Sequence, residues 1–324
     1  MQQFKPLVSI IIPTFNRVHL IGESLDSILA QTYEYWECIV VDDGSNDYTQ
    51  ELLSFYCEVD SRIKYIGRPK SLPAGANACR NLGLENSNGV FVKCLDSDDL
   101  LTKNYLEKKV KVFKDPSVDL VVCNYLLFRD NGFKSRPFNN SSNSKDLLSD
   151  YVSGQININA QSCLWRKKAI KDHQFDPNLK RAQELDFHFR ILRDKELEVI
   201  FLPENLVFIR DHRESISGEF SRGNLEAIRS DLLVRAKILE YLSGFQGRTV
   251  EKERAFNLYL PGIMQLIHFK YFKEIYTQFN SLGKRLELST SFNLWKIKLV
   301  FLLILFKLTG RSYRLRKHIS SLKI

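Results

Sequence analysis

Three carboxylates fall within four residues, Asp96-Ser97-Asp98-Asp99. Crowded acids repel one another, and a hard divalent cation with oxygen ligands relieves that repulsion. The other chemistry such a cluster serves is a solvated, capped helix start. The cluster follows an apolar run, Val90-Phe91-Val92-Lys93-Cys94-Leu95, which predicts a buried strand with the acids at its C-terminal edge. A second apolar run, Cys38-Ile39-Val40-Val41, ends in Asp42-Asp43-Gly44-Ser45. A third, Leu7-Val8-Ser9-Ile10-Ile11-Ile12, ends in Pro13-Thr14-Phe15-Asn16-Arg17. In an open α/β sheet, ligands bind outside the carboxyl ends of the strands. Three polar strand ends thus converge on one site.

The elements that must position these residues alternate in type. Asn16 is placed to cap a helix from Arg17 to about Gln31, with Leu20, Ile21, Leu25, Ile28 and Leu29 on one face. A helix near 47–57, a strand at 63–66 and a loop from Gly67 to Gly75 follow. Ala76 to about Asn86 reads as a helix carrying Asn77, Arg80 and Asn81. Thr102 predicts a cap for a helix to about Phe113, ended by Pro116. Val118–Cys123 is a further strand, and residues 129–146 form a long loop. Glu184 to about Lys195 predicts a helix with Leu185, Phe189 and Leu192 on its apolar face. Val199–Leu202 and Leu206–Ile209 read as two strands. From about Asn224 the pattern is helical, with a boundary at 215–223. This order implies an α/β fold, a doubly wound and mostly parallel sheet over residues 1–220, and a C-terminal helical extension over 221–324. A nucleotide site is expected at the switch point, although no GxGxxG or P-loop is present.

Composition bounds the rest. With 44% hydrophobic and 26% charged residues, the chain is an ordinary globular one. Residues 284–324 hold ten Lys/Arg and one acid; removing them from totals of 47 and 38 leaves 37 of each sign. The net charge of +9 therefore lies wholly in the tail. A basic face for nucleic acid belongs on a folded reading domain, so no nucleic-acid partner is expected. The tail carries an uncharged run, Leu299–Phe306, far short of the ~20 residues of a bilayer span. With Trp295 and Arg311, Arg314, Arg316 and Lys317, it fits a peripheral contact with an anionic membrane surface, or else a packed helix at a homodimer contact. Six cysteines without CxxC spacing, and no visible leader, point to a reducing cytoplasmic compartment, at the inner face of the plasma membrane.

Four segments, Val8–Arg17, Val41–Ser45, Gly75–Asn81 and Leu95–Asp99, resemble in order the motifs of family 2 glycosyltransferases. The resemblance spans about residues 7–213. It implies the GT-A fold, a nucleotide-sugar donor and Mn²⁺ or Mg²⁺ as cofactor. It also implies roles: Asp98 as metal ligand, Asp96 on ribose or metal, and Asp99 on donor sugar or metal. Asp42 would accept from a uracil-like base, Phe15 stack on it and Thr14 bond it. Arg17 and Arg80 would meet phosphate or ribose, and Pro13 and Asn77 complete the donor set. Asp43 serves the turn with Gly44. The segment Arg210-Asp211-His212 would bring His212 to the metal or diphosphate. Glu184 aligns with the catalytic base, where the family usually has Asp; Asp186 is the alternative. One base and no nucleophile imply inversion at the anomeric carbon.

The resulting expectation is a bacterial transferase that moves a sugar from a UDP-sugar to a glycan or lipid-linked acceptor in surface polysaccharide synthesis. Two other readings compete: a DxD phosphatase or phosphotransferase with Asp96 as nucleophile, and a non-catalytic nucleotide-sugar-binding protein. The first leaves Asp42-Asp43-Gly44-Ser45 and Arg80-Asn81 without a role.

Overall fold

Strands β1 (Val8–Thr14) and β2 (Trp36–Asp42) are buried at every residue. That is the signature of parallel strands covered on both faces. The computed structural model describes residues 4–129, 132–133, 146–212, 216–246 and 249–285. Its further strands are β3 (Ile63–Gly67), β4 (Phe91–Cys94), β5 (Leu100–Leu101), β6 (Val118–Arg129), β7 (Gly132–Phe133), β8 (Cys163–Arg166) and β9 (Glu198–Arg210). They form one sheet in the order β3-β2-β1-β4-β8-β6-β9-β5, with β7 on β6. The β3-β2-β1-β4 half is parallel, as is the long β6–β9 pair. Between these halves, β8 runs antiparallel to both β4 and β6.

Two compact units divide the chain. The first holds residues up to Leu147, then Ile156–Leu179 and Gln183–His212; the second holds Leu148–Gln155, Lys180–Ala182 and the chain from Arg213. In the first, α1 (Ile21–Leu29), α2 (Thr49–Val59), α3 (Ala76–Glu85) and α4 (Tyr105–Val112) flank the sheet. Side chains from α1, α2 and α4 pack with Val8, Ile10, Ile12, Cys38 and Val40 on one face. Ile39, Val41 and Cys79 pack on the other. A short helix α5 (Leu147–Val152), almost wholly in the second unit, precedes a one-turn helix α6 (Lys167–Ile170) and α7 (Gln183–Asp194) of the first. The second unit contains α8 (Ile216–Ser221), α9 (Leu225–Ser243), α10 (Thr249–His268) and α11 (Phe272–Arg285). Asn224 caps α9, accepting from the Glu226 and Ala227 N–H groups. Among the described residues, no helix is long and apolar enough to cross a membrane. The basic end, 286–324, and most of the 129–146 loop lie outside the described residues.

Several boundaries differ from expectation. Asn16 does not cap α1, which starts at Ile21; Asn16 sits in the left-handed region at φ 52° and serves the loop instead. Thr102 hands its hydroxyl to Asn104, and α4 begins at Tyr105, because Leu100–Leu101 is drawn into pairing with β9. The two strands expected at 199–209 are one, irregular near Asn124 and Asn205, where the β6–β9 register shifts.

Glu37 is a carboxylate inside a buried strand. It accepts from Ser9 Oγ at 2.6 Å, the Asn88 N–H at 2.6 Å and Lys64 Nζ at 2.8 Å. Burial pushes the carboxyl up, but these hydrogen bonds outweigh it and hold it at about 2. A carboxyl depressed in the fold adds stability above its unfolded value, here 4.5, and that stability is lost as pH falls toward 2. Glu37→Gln should therefore cost about 2 kcal/mol at pH 7 and flatten the loss of stability between pH 4.5 and 2. Urea denaturation at pH 7 and pH 3 checks this; parallel losses in both proteins would refute it.

Candidate active site

Register brings the polar strand ends together. Thr14 lies opposite Asp42, and Ile11 opposite Cys94, so β1, β2 and β4 finish on one edge. The first two loops are clasped. The Asn16 N–H donates to Ser45 Oγ at 2.8 Å, and the Asn46 N–H to Asn16 Oδ1 at 2.9 Å. Gly44 turns the chain at φ 89°, where a Cβ is disfavoured. Asp42, 2% exposed, accepts from Ser45 Oγ at 2.5 Å and from the Tyr65 hydroxyl at 3.3 Å. The carboxylate of Asp43 pairs with Arg68, just past the end of β3. Beside this clasp Phe15 is 52% exposed. Thr14 Oγ1 is buried without a hydrogen-bond partner among the described residues.

The acids after β4 form the second part. One oxygen from each of Asp96, Asp98 and Asp99 lies within 4.8 Å of the others. Burial and the Asp96 charge push the Asp98 carboxyl up, with His212 and Arg17 pulling the other way. Asp99, 2% exposed, is pushed well above the carboxylate range by burial and by its two neighbours. The C-terminal end of β9 answers this charge. His212 Nε2 is 2.8 Å from Asp98 Oδ2, and the Arg210 N–H donates to Asp99 Oδ1 at 2.9 Å. The guanidinium of Arg210 reaches the Asp98 carbonyl at 3.2 Å and Glu23 at 2.7 Å. An all-oxygen donor set of three crowded carboxylates fits Mg²⁺ or Mn²⁺.

Arg80 joins the acids to α7. It is buried and donates to Asp96 Oδ1 at 2.8 Å, Asn77 Oδ1 at 2.9 Å and Gln183 Oε1 at 2.9 Å. Gly83 lets α3 approach the sheet this closely, since a Cβ there would lie 2.3 Å from Ile11 Cγ2. Glu184 and Asp186, two residues apart in the first turn of α7, point to different sides of the helix. Asp186 is 1% exposed and bound to Arg190 Nε at 2.8 Å. Glu184 is half-buried, and its charge reaches both Arg80 and Tyr125.

Most of the residues singled out in the sequence thus gather on one sheet edge. Three take other positions. Pro13 is buried within β1 opposite Val41. Asn77 is 1% exposed and spends its amide on Arg80 and the Asp176 carbonyl, so it orients Arg80. Asp186 faces the protein interior. Gln161 was not foreseen: its Oε1 accepts from the Asp96 N–H at 3.0 Å. It sits in a 3₁₀ turn, Ala160–Ser162, whose sequence carries no periodicity.

The profile of the family "Glycosyl transferase family 2" matches residues 9–174, just over half of the chain. The chain belongs to that family. The matched span includes β1 through α6 and all three polar strand ends. The UDP-Glc:alpha-D-GlcNAc-diphosphoundecaprenol beta-1,3-glucosyltransferase WfgD of Escherichia coli is 38% identical over 126 residues, covering 39% of this chain and 48% of the relative. Against three other curated relatives the chain spans 20–63% of their length. In fold, this glycosyltransferase is similar to S. aureus TarS 1-349 solved with UDP-GlcNAc. The TM-score is 0.64 at 18% identity, over 86% of this chain and 81% of that one. It is also similar to the mannosyltransferase PcManGT from Pyrobaculum calidifontis solved with GDP-Man and Mn²⁺. There the TM-score is 0.56 at 17% identity, over 95% and 89%. The glycosyltransferase thus has a GT-A fold, with a mostly parallel sheet flanked by helices.

Proposed function

We propose that this glycosyltransferase transfers a sugar from a UDP-sugar, with inversion, to a hydroxyl of a glycan or lipid-linked acceptor. The observation that carries the reading is the convergence of Asp42, the Asp96/Asp98/Asp99 cluster, Arg80 and Glu184 on one sheet edge. Phe15 offers an exposed ring for the base and Asp42 an acceptor for its N–H edge. Asp98, with Asp96, Asp99 and His212, would hold Mn²⁺ or Mg²⁺, which when bound neutralises charge on the departing diphosphate. Arg80 and Arg17 add fixed positive charge on the same side. Glu184, next to the Gln183 that Arg80 bonds, takes the proton of the attacking hydroxyl. Asp186 is closed to that role by its burial and its ion pair. Supported by the lipid-diphosphate acceptor in the name of WfgD, we place the acceptor on a surface-polysaccharide intermediate and the protein at the cytoplasmic face of a bacterial membrane, held peripherally by its basic tail or paired with a second copy.

Calorimetry with UDP, GDP and CDP, each with and without Mn²⁺, tests the donor site. UDP should bind most tightly and only with the metal. Equal binding in both conditions would remove the cation from the cluster; preference for GDP would remove the uracil role of Asp42.

A further inference from the structure

Lys93 has no exposed surface. It stands in β4 between Phe91 and Leu95, on the strand face that packs into the main core. An apolar residue would fill that position at no electrostatic cost, whereas a buried ammonium needs complete hydrogen bonding. Lys93 achieves this with backbone carbonyls alone: Cys94 at 2.6 Å, Gln161 at 2.7 Å and Ala160 at 3.5 Å. The last two belong to the 3₁₀ turn that presents Gln161, whose side chain in turn holds the Asp96 N–H. The ammonium therefore clamps the end of β4 and the Gln161 turn, the two segments between which the acidic loop starts. A second buried lysine, Lys109 of α4, binds the Val121 carbonyl at 2.9 Å and the Ser162 carbonyl, with no bond to Cys94 or Gln161. Burial, with Lys109 nearby, lowers the pKa of Lys93 to about 8.

We propose that Lys93 is a positioning residue of the donor site: through Gln161 it sets the backbone at Asp96, and hence the spacing of the three carboxylates for a divalent cation. The inference rests on the cation reading of the cluster. Loss of a group that orients metal ligands typically weakens metal binding by about 10- to 100-fold.

The test is Mn²⁺ calorimetry on the full chain in saturating UDP, together with thermal melts. Lys93→Met and Gln161→Ala should each weaken Mn²⁺ by about tenfold or more, and the double variant should be no weaker than the worse single one. Lys109→Met should lower the melting temperature but weaken Mn²⁺ less than Lys93→Met does, because it bonds β6 at Val121 and only the last residue of the turn, Ser162, and holds neither Cys94 nor Gln161. Wild-type Mn²⁺ affinity in Lys93→Met, or equal weakening in Lys109→Met, overturns the proposal in favour of a core role. If Lys93→Met does not fold, unchanged affinity in Gln161→Ala overturns it alone. A wild-type protein that binds no Mn²⁺ with UDP removes the cation reading itself, and this inference with it.

Discussion

Asp98→Asn should abolish measurable transfer and leave the protein at least as stable. The side chain keeps its volume and its contact with His212 Nε2, now as an amide. It loses the negative charge that a divalent cation needs. Charge stabilisation of the leaving group by a metal is worth several kcal/mol, which corresponds to a loss of about 10³-fold or more. Stability moves the other way. Burial and Asp96 already oppose ionisation of Asp98, and Asp99 beside it is opposed even more strongly. A neutral amide relieves that repulsion, as expected where a site is built at the expense of the fold. Donor turnover and a thermal melt on the same preparation check both halves. Turnover within tenfold of wild type would remove Asp98 from the cation site; a large drop in melting temperature would mean its charge holds the fold.

Glu184→Gln should cost roughly 10²–10⁴-fold in rate, the usual cost of losing a general base. UDP affinity should be almost unchanged, because the amide preserves size and Arg80 keeps its bonds to Asp96, Asn77 and Gln183. Asp186→Asn is the control. It breaks a buried pair with Arg190, so the melting temperature should fall while the rate per folded molecule is kept. The reverse outcome, an inactive Asp186→Asn beside an active Glu184→Gln, would make Asp186 the base and require α7 to turn in the working enzyme. Activity in both variants would put the base on another element.

The parts of this chain legible in its sequence are those where one physical requirement dominates. β1 and β2 are apolar apart from Ser9 and Glu37, which bond each other, because both faces are covered, so their ends at Thr14 and Asp42 stand out. The acids after β4 stand out because nothing but a ligand or a solvated turn explains them. What was not legible depends on pairing across distance. β8 contributes only four residues, Cys163–Arg166, too few for a period, and its place between β4 and β6 comes from the partners. On α7, the expected apolar face ran through Leu185, Phe189 and Leu192. The buried face leaves Leu185 only partly covered and takes in Gln183, Asp186 and Phe187, because Arg80 and Arg190 satisfy the polar members. Helical spacing places Glu184 and Asp186 on different sides but does not say which side is inward. Asn16 departs from its expected cap for a related reason: the residue types that cap helices are those that tolerate the left-handed region and bond a neighbouring loop.

The clasp between Asn16 and Ser45–Asn46 has a kinetic corollary. Two loops from different strands are fixed by bonds that need no ligand, with Phe15 standing out beside them. A nucleobase bound there, as proposed above, would meet loops already held and recruit none, so little ordering entropy would be lost on binding. Association at this face should then run at the rate of encounter, and discrimination among bases should be written in how fast the wrong ones leave.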